Sequence, residues 1–395
     1  MPKWKKMTVG DLCDTISDTY RGDDKDVVLI NTSDVLEGKV LNHQVVENKN
    51  LKGQFKKTFK ENDILYSEIR PANKRYAFVD FGDTDNYIAS TKLMVLRPRK
   101  DVVRPRFLFS FLASKSVLEE LQQLAETRSG TFPQITFSSE LAPTPINVPD
   151  LKTQDRIVGI LDVIEGKIST NAEINKNLEQ QAQAYFDELF VVNADPNWSE
   201  CTLSDIGSVV AGGTPSKSKP EYYADQGIAW ITPKDLSVNK SKFISHGEND
   251  ISELGFSKSS AAKMPAGTIL FSSRAPIGYI AIAQNEVTTN QGFKSVIPNE
   301  NIGTAYLYFL LKNLLPTIEG MASGSTFKEI SGSAMKSVPT VMPDANTIQL
   351  FSSFCEPVFK EQEILEAENQ RLSALRNSLL PKLMSGELDA SDIDL

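Results

Sequence analysis

Residues 155–190 of the chain read DRIVGILDVIEGKISTNAEINKNLEQQAQAYFDELF. Two sets of these residues recur every seven positions, which is the heptad pattern of a coiled coil. The first seam is Ile157, Ile164, Asn171, Leu178 and Tyr185, and the second is Leu161, Ile168, Asn175, Ala182 and Leu189. At 1.5 Å per residue, a helix of ~35 residues is about 50 Å long.

A second heptad pattern lies near the end of the chain. Its first seam is Phe351, Val358, Leu365, Leu372 and Leu379, and we expect Phe354 and Leu375 on the adjoining seam. The simplest arrangement packs the two long helices against each other as an antiparallel coiled coil, in which buried Asn171 and Asn175 fix the register. Alternatively, each helix docks on another subunit, and the two arrangements are compatible if they use different helix faces.

Outward from these helices, the chain repeats itself at an offset of roughly 195 residues, which indicates a duplicated domain. The pattern W-x3-T-x2-D occurs at Trp4, Thr8 and Asp11 and again at Trp198, Thr202 and Asp205. Further matching pairs follow in the same order: LINTSDVL (29–36) with AWITPKDL (229–236), NDILYSEIRP (62–71) with GTILFSSRAP (267–276), YIASTKLMVLRP (87–98) with VTTNQGFKSVIP (287–298), and SGTFPQI (129–135) with SGSTFKEI (323–330).

Each repeat opens with short apolar runs broken by Gly, Pro, Asn and Asp, which are typical of short strands. Helical segments are predicted late in each repeat, at 106–126 and 304–321. The predicted fold class is α+β, with two strand-rich α/β domains joined by the two long helices in a pseudo-twofold repeat. The predicted segments are head 1 (1–150), a central spacer helix (151–197), head 2 (198–343), and a C-terminal spacer helix and tail (344–395).

The net charge of −9 is distributed unevenly. The two helical segments carry −4 and −6, whereas heads 1 and 2 carry +1 and 0. Within head 1, residues 49–106 hold 14 basic and 7 acidic residues. A cationic surface on a head is therefore compatible with the acidic total, and the acidic helices suit protein docking better than DNA contact.

Composition excludes several other classes of protein. No apolar run approaches the ~20 residues of a membrane span, and MPKWKKMTVGDL (1–12) has no apolar signal region, so we expect a cytoplasmic protein without membrane contact. The three cysteines, Cys13, Cys201 and Cys355, are far apart, and only two histidines are present. We therefore expect free thiols and no metal site.

The sequence also lacks the common catalytic motifs. It has no G-x-G-x-x-G after a strand, no G-x4-G-K-[ST], no [DNS]-P-P-[YFW] of amino-methyltransferases and no G-x-S-x-G. Asp150, Glu165 and Lys167 superficially resemble a nuclease PD…ExK set. Helix entry explains Asp150, and a solvated helix face explains the other two, so no catalytic residue and no cofactor-binding residue is predicted.

Polar side chains at predicted strand ends and loops have the chemistry that contacts phosphates and base edges. In head 2 the candidate DNA contacts are Thr214, Ser216, Lys217, Lys219, Tyr222, Tyr223, Lys234, Arg274, Asn290, Gln291, Ser325 and Thr326. In head 1 they are Lys56, Lys57, Arg70, Lys74, Arg75, Lys92, Arg128, Thr131 and Gln134. Gly212 and Gly213 permit close approach to a ligand. Trp230 and Phe271 lie in apolar runs and are expected in the core.

Several stretches resemble the specificity (S) subunits of type I restriction-modification systems, in particular the opening motif of their target recognition domains. They are AGGTPSKSKPEYYADQGIAWITPKDL (211–236), TNQGFKSVIP (289–298), QAQAYFDELF (181–190) and RLSALRNSLLPKLMSGELD (371–389). The resemblance covers nearly the whole chain, in the order target domain, helix, target domain, helix. Head 1 departs from it, since SDTYRGDDKDVV (17–28) replaces the GGTPS loop.

The resemblance implies that each head reads one half of a bipartite, asymmetric site on double-stranded DNA, with the helices setting the gap. It further implies that two modification (methyltransferase) subunits and restriction (translocase-nuclease) subunits join this chain. S-adenosylmethionine, Mg and ATP then belong to those subunits. The alternative from the residues alone is a coiled-coil scaffold with two protein-binding heads and no role on DNA.

Overall fold

The computed structural model describes residues 4–22, 25–49, 53–274, 276–324 and 328–393. The chain divides into two compact units, unit 1 (Met1–Ile168 with Arg371–Leu395) and unit 2 (Ser169–Gln370). Each unit contains one head together with part of each long helix. The boundaries of the two units therefore differ from those of the four predicted segments, because each unit joins a head to parts of both spacer helices.

Unit 1 is built largely from short strands. They are β1 (Lys5–Thr8), β2 (Cys13–Ile16), β3 (Asp26–Ile30), β4 (Val35–Leu36), β5 (Lys39–Val40), β6 (Val45–Glu47), β7 (Phe55–Lys57), β8 (Ile64–Ser67), β9 (Tyr76–Phe78), β10 (Tyr87–Ser90), β11 (Leu93–Pro98) and β12 (Pro145–Val148). The helices that begin in unit 1 are α1 (Val9–Leu12), α2 (Pro105–Leu112), α3 (Lys115–Arg128) and the long α4 (Leu151–Asp187).

Unit 2 has the same kind of composition. Its strands are β13 (Ser199–Thr202), β14 (Gly207–Ala211), β15 (Tyr223–Ala224), β16 (Ile228–Ile231), β17 (Phe243–Ile244), β18 (Asn249–Ile251), β19 (Ile269–Phe271), β20 (Ile280–Ala283), β21 (Thr288–Thr289), β22 (Lys294–Pro298) and β23 (Pro339–Met342). Its helices are α5 (Leu203–Ile206), α6 (Pro233–Val238), α7 (Glu253–Ser257), α8 (Thr304–Asn313), α9 (Leu315–Met321), α10 (Gly332–Lys336) and the long α11 (Ala345–Ser385).

The two heads share most of their strand order, and they differ in the strand that completes the second sheet, which is β7 beside β10 in head 1 and β15 beside β18 in head 2. The sheet order β2-β11-β8-β9 of head 1 returns as β14-β22-β19-β20 in head 2, where β17 adds a fifth strand. The order β6-β3-β10 returns as β18-β16-β21, and the same neighbours, β3 with β10 and β16 with β21, run parallel. Strands β1 and β12 pair antiparallel in head 1, as do β13 and β23 in head 2. The predicted α+β class and the predicted internal repeat are both confirmed.

The long helices pack antiparallel. In unit 2, the Asn171 side chain donates hydrogen bonds to Glu368 at 2.7 Å and to Asn369 at 3.0 Å. Further along α4, the Tyr185 ring lies 4.8 Å from the Phe354 ring. Residue numbers thus rise along α4 as they fall along α11. Asn171 is fully buried, as predicted for a residue that fixes register, whereas Asn175 is only partly buried.

The second seam of α11 was predicted wrongly. Phe354 is 38% exposed and Leu375 is 46% exposed, whereas Cys355, Gln362 and Leu383 are buried. The seam therefore runs four residues after each position of the first seam, and not three. Both spacings lie on the same side of a helix, so the heptad count alone does not separate them.

Each helix predicted late in a repeat is two helices. The segment 106–126 is interrupted between α2 and α3, where Ser114 precedes the first turn of α3 in an extended conformation. The segment 304–321 is interrupted at Leu314, and Pro316 occupies the first turn of α9. Proline lacks a backbone N–H, so it is tolerated in a first turn and not in a helix interior. Trp230 and Phe271 are buried, as predicted.

Candidate nucleic-acid interface

The glycine-rich loop after β14 packs tightly against its own head. A Cβ on Gly212 would collide with the backbone oxygens of Thr289 and Asn290, and a Cβ on Gly213 would collide with the backbone of residues 260–261. The Gly213 N–H donates to the Thr289 carbonyl at 2.8 Å. The close approach that these glycines permit is thus to the chain itself, which corrects the expectation that they leave room for a ligand.

Two aromatic residues anchor the same loop. The Trp230 indole N–H donates to the Gly213 carbonyl at 3.0 Å, and the Tyr223 hydroxyl donates to the Pro215 carbonyl at 2.9 Å. Tyr222 is only 9% exposed, so its ring supports the loop from inside and does not face a ligand, contrary to the prediction. Lys219 lies over that ring, with Nζ 5.3 Å from the centroid.

A cleft of about 540 Å³ in head 2 brings six of the predicted DNA contacts together. They are Thr214, Lys217, Tyr223, Lys234, Asn290 and Gln291. The Thr214 hydroxyl donates to the Gln291 side-chain oxygen, and the Asn290 side-chain oxygen accepts the Gly292 N–H at 2.8 Å. Hydroxyl, amide and ammonium groups therefore converge at one rim, which is the chemistry that contacts phosphates and base edges.

The charges at this cleft are partly balanced inside the head. Lys234 pairs with Glu248 at 2.6 Å, and the hydrogen bond that Lys234 donates to this carboxylate raises the pKa of Lys234 above its ordinary value. Lys217 is exposed and pairs with no acidic group in the described part of the chain. Lys217 is accordingly the cation at this cleft that is most available to an external anion.

The other predicted residues of head 2 lie outside the cleft lining. Ser216 is exposed on the loop, and its hydroxyl lies 2.9 Å from that of Ser218. Arg274 is exposed after β19 and pairs with Glu329 at 3.0 Å. Ser325 and Thr326 lie outside the described residues.

In head 1, three of the predicted residues meet where the chain leaves β8. The Arg70 N–H donates to the Pro133 carbonyl at 3.1 Å. The Lys92 Nζ donates to the Gln134 side-chain oxygen at 3.2 Å and lies 3.4 Å from Glu68. Arg70, Lys92 and Gln134 thus share one surface, on which Arg70 is exposed and pairs with no acidic group among the described residues.

The remaining predictions for head 1 are scattered. Arg128 pairs with Glu140 at 3.2 Å, Lys74 pairs with Glu37 at 2.8 Å, and Arg75 donates to the Ser33 carbonyl at 3.0 Å. Thr131 and Lys56 are exposed. Lys57 is a structural residue, because Nζ donates to the carbonyls of Thr91 and Leu93 and burial lowers its pKa.

Comparison with known proteins decides the family. A family model described as "Type I restriction modification DNA specificity domain" matches the chain twice, over residues 1–180 and 196–374. The chain belongs to the family of type I restriction-modification specificity subunits.

Two curated relatives give the extent of the likeness. The type I restriction enzyme HindI specificity subunit of Haemophilus influenzae is 32% identical, over 98% of this chain and 100% of its own length. The type I restriction enzyme MjaIX specificity subunit of Methanocaldococcus jannaschii is 40% identical over 46% of this chain and 44% of its own length. Among solved structures, a type I restriction-modification system S subunit from M. genitalium shares the fold, with a TM-score of 0.58 at 18% identity over 97% of this chain and 96% of its own.

Sequence reasoning missed part of the cleft of this specificity subunit. The cleft is also lined by Trp230, Thr232, Pro233, Glu248 and Asn249. The sequence does contain a signal for one wall of the cleft, the capping box Thr232-x-x-Asp235 at the start of α6. Asp235 accepts the Thr232 N–H at 2.7 Å and, through its other oxygen, the Glu248 N–H at 2.8 Å. This carboxylate therefore ties the start of α6 to the loop that carries Glu248.

Two of the three nuclease-like residues of the specificity subunit, Asp150 and Glu165, have structural roles. Asp150 accepts the Thr153 N–H at 3.0 Å at the start of α4, and this bond holds the Asp150 pKa below its ordinary value. Glu165 pairs with Arg376 at 2.5 Å. In the described ranges, no group of three or more His, Cys, Asp and Glu residues is arranged to hold a metal ion. Nor does any helix in those ranges have the length and apolar character needed to cross a membrane.

Proposed function

We propose that this chain is the non-catalytic DNA-reading subunit of a type I restriction-modification complex. Each head reads one half of a bipartite, asymmetric site on double-stranded DNA. The long helices set the spacing between the halves and dock two methyltransferase subunits, and restriction subunits join that core. S-adenosylmethionine, Mg and ATP are used by those partner subunits.

The observation that carries the proposal is that one DNA specificity domain is built twice on this chain, with a different surface on each copy. Two readers on one chain suit a site with two halves, and their different side chains suit an asymmetric sequence. In head 2 the reading surface is the cleft that holds Lys217, Asn290 and Gln291. Amide side chains read adenine edges, and an unpaired lysine binds a phosphate.

The ion pairs on the heads are compatible with DNA binding. In the pair of Lys234 with Glu248, both side chains are largely exposed. Exposed pairs of this kind contribute little to stability, so a phosphate can replace the carboxylate at small cost. The acidic helices are repelled by phosphate, which leaves them to the protein partners.

The test is a domain swap in the full complex. Residues 198–343 are replaced by the corresponding head of another type I specificity subunit, and the modified bases are mapped by sequencing DNA from cells that express the complex. We expect one half of the methylated sequence to change while the other half and the gap persist. A methylated sequence that is unchanged after the swap rejects the proposal.

Lys217→Ala tests the cleft itself. With the methyltransferase subunits present, we expect weaker DNA binding and a slope of log affinity against log salt that is smaller by about one. Lys258→Ala, which removes an exposed lysine of the same head outside the cleft lining, is the matched control. If the wild-type complex shows no salt-dependent DNA binding at all, the heads are protein-binding modules and the scaffold alternative holds.

A further inference from the structure

Three charged side chains, those of Arg274, Glu329 and Lys294, form linked ion pairs beside the cleft of head 2. Arg274 Nε lies 3.0 Å from one oxygen of Glu329, and Lys294 Nζ lies 3.6 Å from the other. The side chain of Lys294 is only 11% exposed, while that of Arg274 is 47% exposed. The carboxylate therefore lies between a cation inside the head and a cation that faces solvent.

The backbone places this group beside the cleft. Ser273 donates both its N–H and its hydroxyl to the Gly292 carbonyl, at 2.8 and 3.1 Å. Gly292 follows directly on Asn290 and Gln291, which line the cleft. Arg274 also forms an antiparallel bridge with Glu329, and the neighbouring Ile330 N–H donates to the Ser273 carbonyl at 3.0 Å. Arg274 and Glu329 are thus held in register by main-chain contacts, independently of their side chains.

The geometry leaves one end of the guanidinium open. The closest contact of Glu329 is with Nε, and no described residue accepts a hydrogen bond from either terminal nitrogen of Arg274. A guanidinium held through Nε presents its two terminal nitrogens as a planar donor pair. That pair matches O6 and N7 of guanine, the commonest specific contact of arginine in a major groove.

The corresponding place in head 1 has different chemistry. There the bridge joins Ile69 to Gln134, and Lys92 donates to the Gln134 oxygen at 3.2 Å. A lysine thus holds the residue at this bridge in both heads. Head 2 has Arg274 at the bridge itself, whereas head 1 has Ile69 there and its arginine, Arg70, one residue later. This difference gives the two heads different hydrogen-bonding chemistry at one equivalent position.

We propose that Arg274 determines a G·C base pair in the second half-site and that Glu329, held by Lys294, is its positioning residue. The inference rests on the proposed function, since it assigns one base contact to a head that reads DNA. Glu329 restricts the guanidinium to one orientation before DNA arrives, which lowers the entropy cost of the bidentate contact. Lys294 neutralises the carboxylate, so that it does not repel the phosphates nearby.

The experiment measures base preference at each position of the second half-site, using the full complex with its methyltransferase subunits and a library in which that half is randomised. For Arg274→Ala we expect the preference for one G·C pair to fall roughly tenfold or more, with the first half-site unchanged. For Glu329→Ala we expect a smaller loss at the same position. Arg274→Lys should restore the preference only in part, because an ammonium is a compact charge without the planar fork of donors that Glu329 orients.

Two controls distinguish the positioning of Arg274 by Glu329 from the general effect of removing a negative charge from the head. Glu286→Gln breaks the ion pair of Glu286 with Lys263, which lies in the same head, and should leave base preference unchanged. Thermal melting verifies that each variant is folded. If Glu329→Ala tightens binding equally to all sequences, Glu329 competes with phosphate and its positioning role is refuted. If Arg274→Ala weakens all sequences equally and lowers the salt slope by about one, Arg274 contacts a phosphate and the base assignment is refuted.

These failures differ from failure of the proposed function. If either the Arg274→Ala or the Glu329→Ala result refutes its assignment, the wild-type complex still prefers defined bases in the second half-site, and only the role of that residue changes. A wild-type complex without any base preference in that half would reject the reading function itself.

Discussion

Lys242 is a buried cation in unit 2 that pairs with Glu179. It is 8% exposed, its Nζ lies 3.6 Å from the centroid of the Phe359 ring, and it donates to Glu179 at 2.7 Å. Burial lowers the pKa of Lys242 to about 8, although Glu179 opposes that shift. Burial also raises the pKa of Glu179, but the attraction and hydrogen bonds of Lys242 and Lys312 outweigh it and hold the pKa below its ordinary value.

Other titratable groups face the same lysine. Glu366 accepts the backbone N–H groups of Lys242 and Phe243 at 2.9 and 3.2 Å, and burial raises its pKa. Burial raises the pKa of Cys355 to about 12 and that of Tyr308 well above its ordinary value. In the unfolded chain the ordinary pKa values of 9.0 for the thiol and 10.0 for the phenol apply, so these two groups lower the free energy of unfolding as pH rises through that range. Comparison of the wild type with a Lys242 variant that keeps both groups isolates the contribution of Lys242.

The depressed pKa of Lys242 predicts a pH dependence of stability. Between pH 8 and its ordinary value of 10.5, the unfolded chain holds a proton on Lys242 that the folded chain has released, so the contribution of Lys242 to the free energy of unfolding rises with pH. Lys242→Met removes this titration. We expect the stability of the wild type relative to Lys242→Met to be constant below pH 8 and to rise by roughly 1–3 kcal/mol towards pH 10.5 in urea unfolding. The exposed Lys258→Met is the control, and a wild-type difference that falls over this range contradicts the prediction.

The seam of α11 sets the cost of truncating its aromatic residues. Phe351 is fully buried and contacts the rings of Phe186 and Phe309, whereas Phe354 is 38% exposed beside Tyr185. We expect Phe351→Ala to lower the free energy of unfolding by ~3–5 kcal/mol, because it opens a cavity in a closed core. Phe354→Ala should cost clearly less, and equal losses in denaturant titrations would show that both residues belong to the seam.

The heptads predicted both long helices because their signal is repeated many times along one segment. The sequence does not show whether Phe354 or Cys355 occupies the second seam of α11, since each places an apolar side chain near the same helix face. The short strands of the heads were recognisable as apolar runs, and the repeat set their order. Their pairing depends on contacts between distant segments, such as β3 with β10, which no local pattern specifies.

The candidate cleft was predictable in its residue types and not in its contacts. Lys217, Asn290 and Gln291 were identifiable as donors in loops, and the structure brings them together. The burial of Tyr222 and the pairing of Arg274 with Glu329 depend on tertiary packing between segments far apart in the chain. The fold of a strand-rich head, and not its sequence spacing, decides which loop residues are exposed and which cations are paired.

The two long helices are the part of the chain that both units share. On one side of the unit boundary, Glu165 pairs with Arg376, and on the other side Asn171 binds Asn369. If residues are inserted between these contacts in only one helix, either the Glu165–Arg376 pair or the Asn171–Asn369 contact is forced out of register. Matched insertions in both helices preserve both sets.

This argument gives a direct test of the proposal that the helices set the gap between half-sites. One heptad inserted after Ile168 and another after Gln370 lengthen the helix pair by about 10 Å, which corresponds to roughly three base pairs. We expect the doubly inserted chain to fold, and the complex to methylate sites with a correspondingly longer gap or to lose methylation of the original sites. The single insertion after Ile168 should lower the melting temperature, because it breaks the register that Asn171 fixes. Full activity of the doubly inserted chain on the original gap would show that the helices do not determine the spacing.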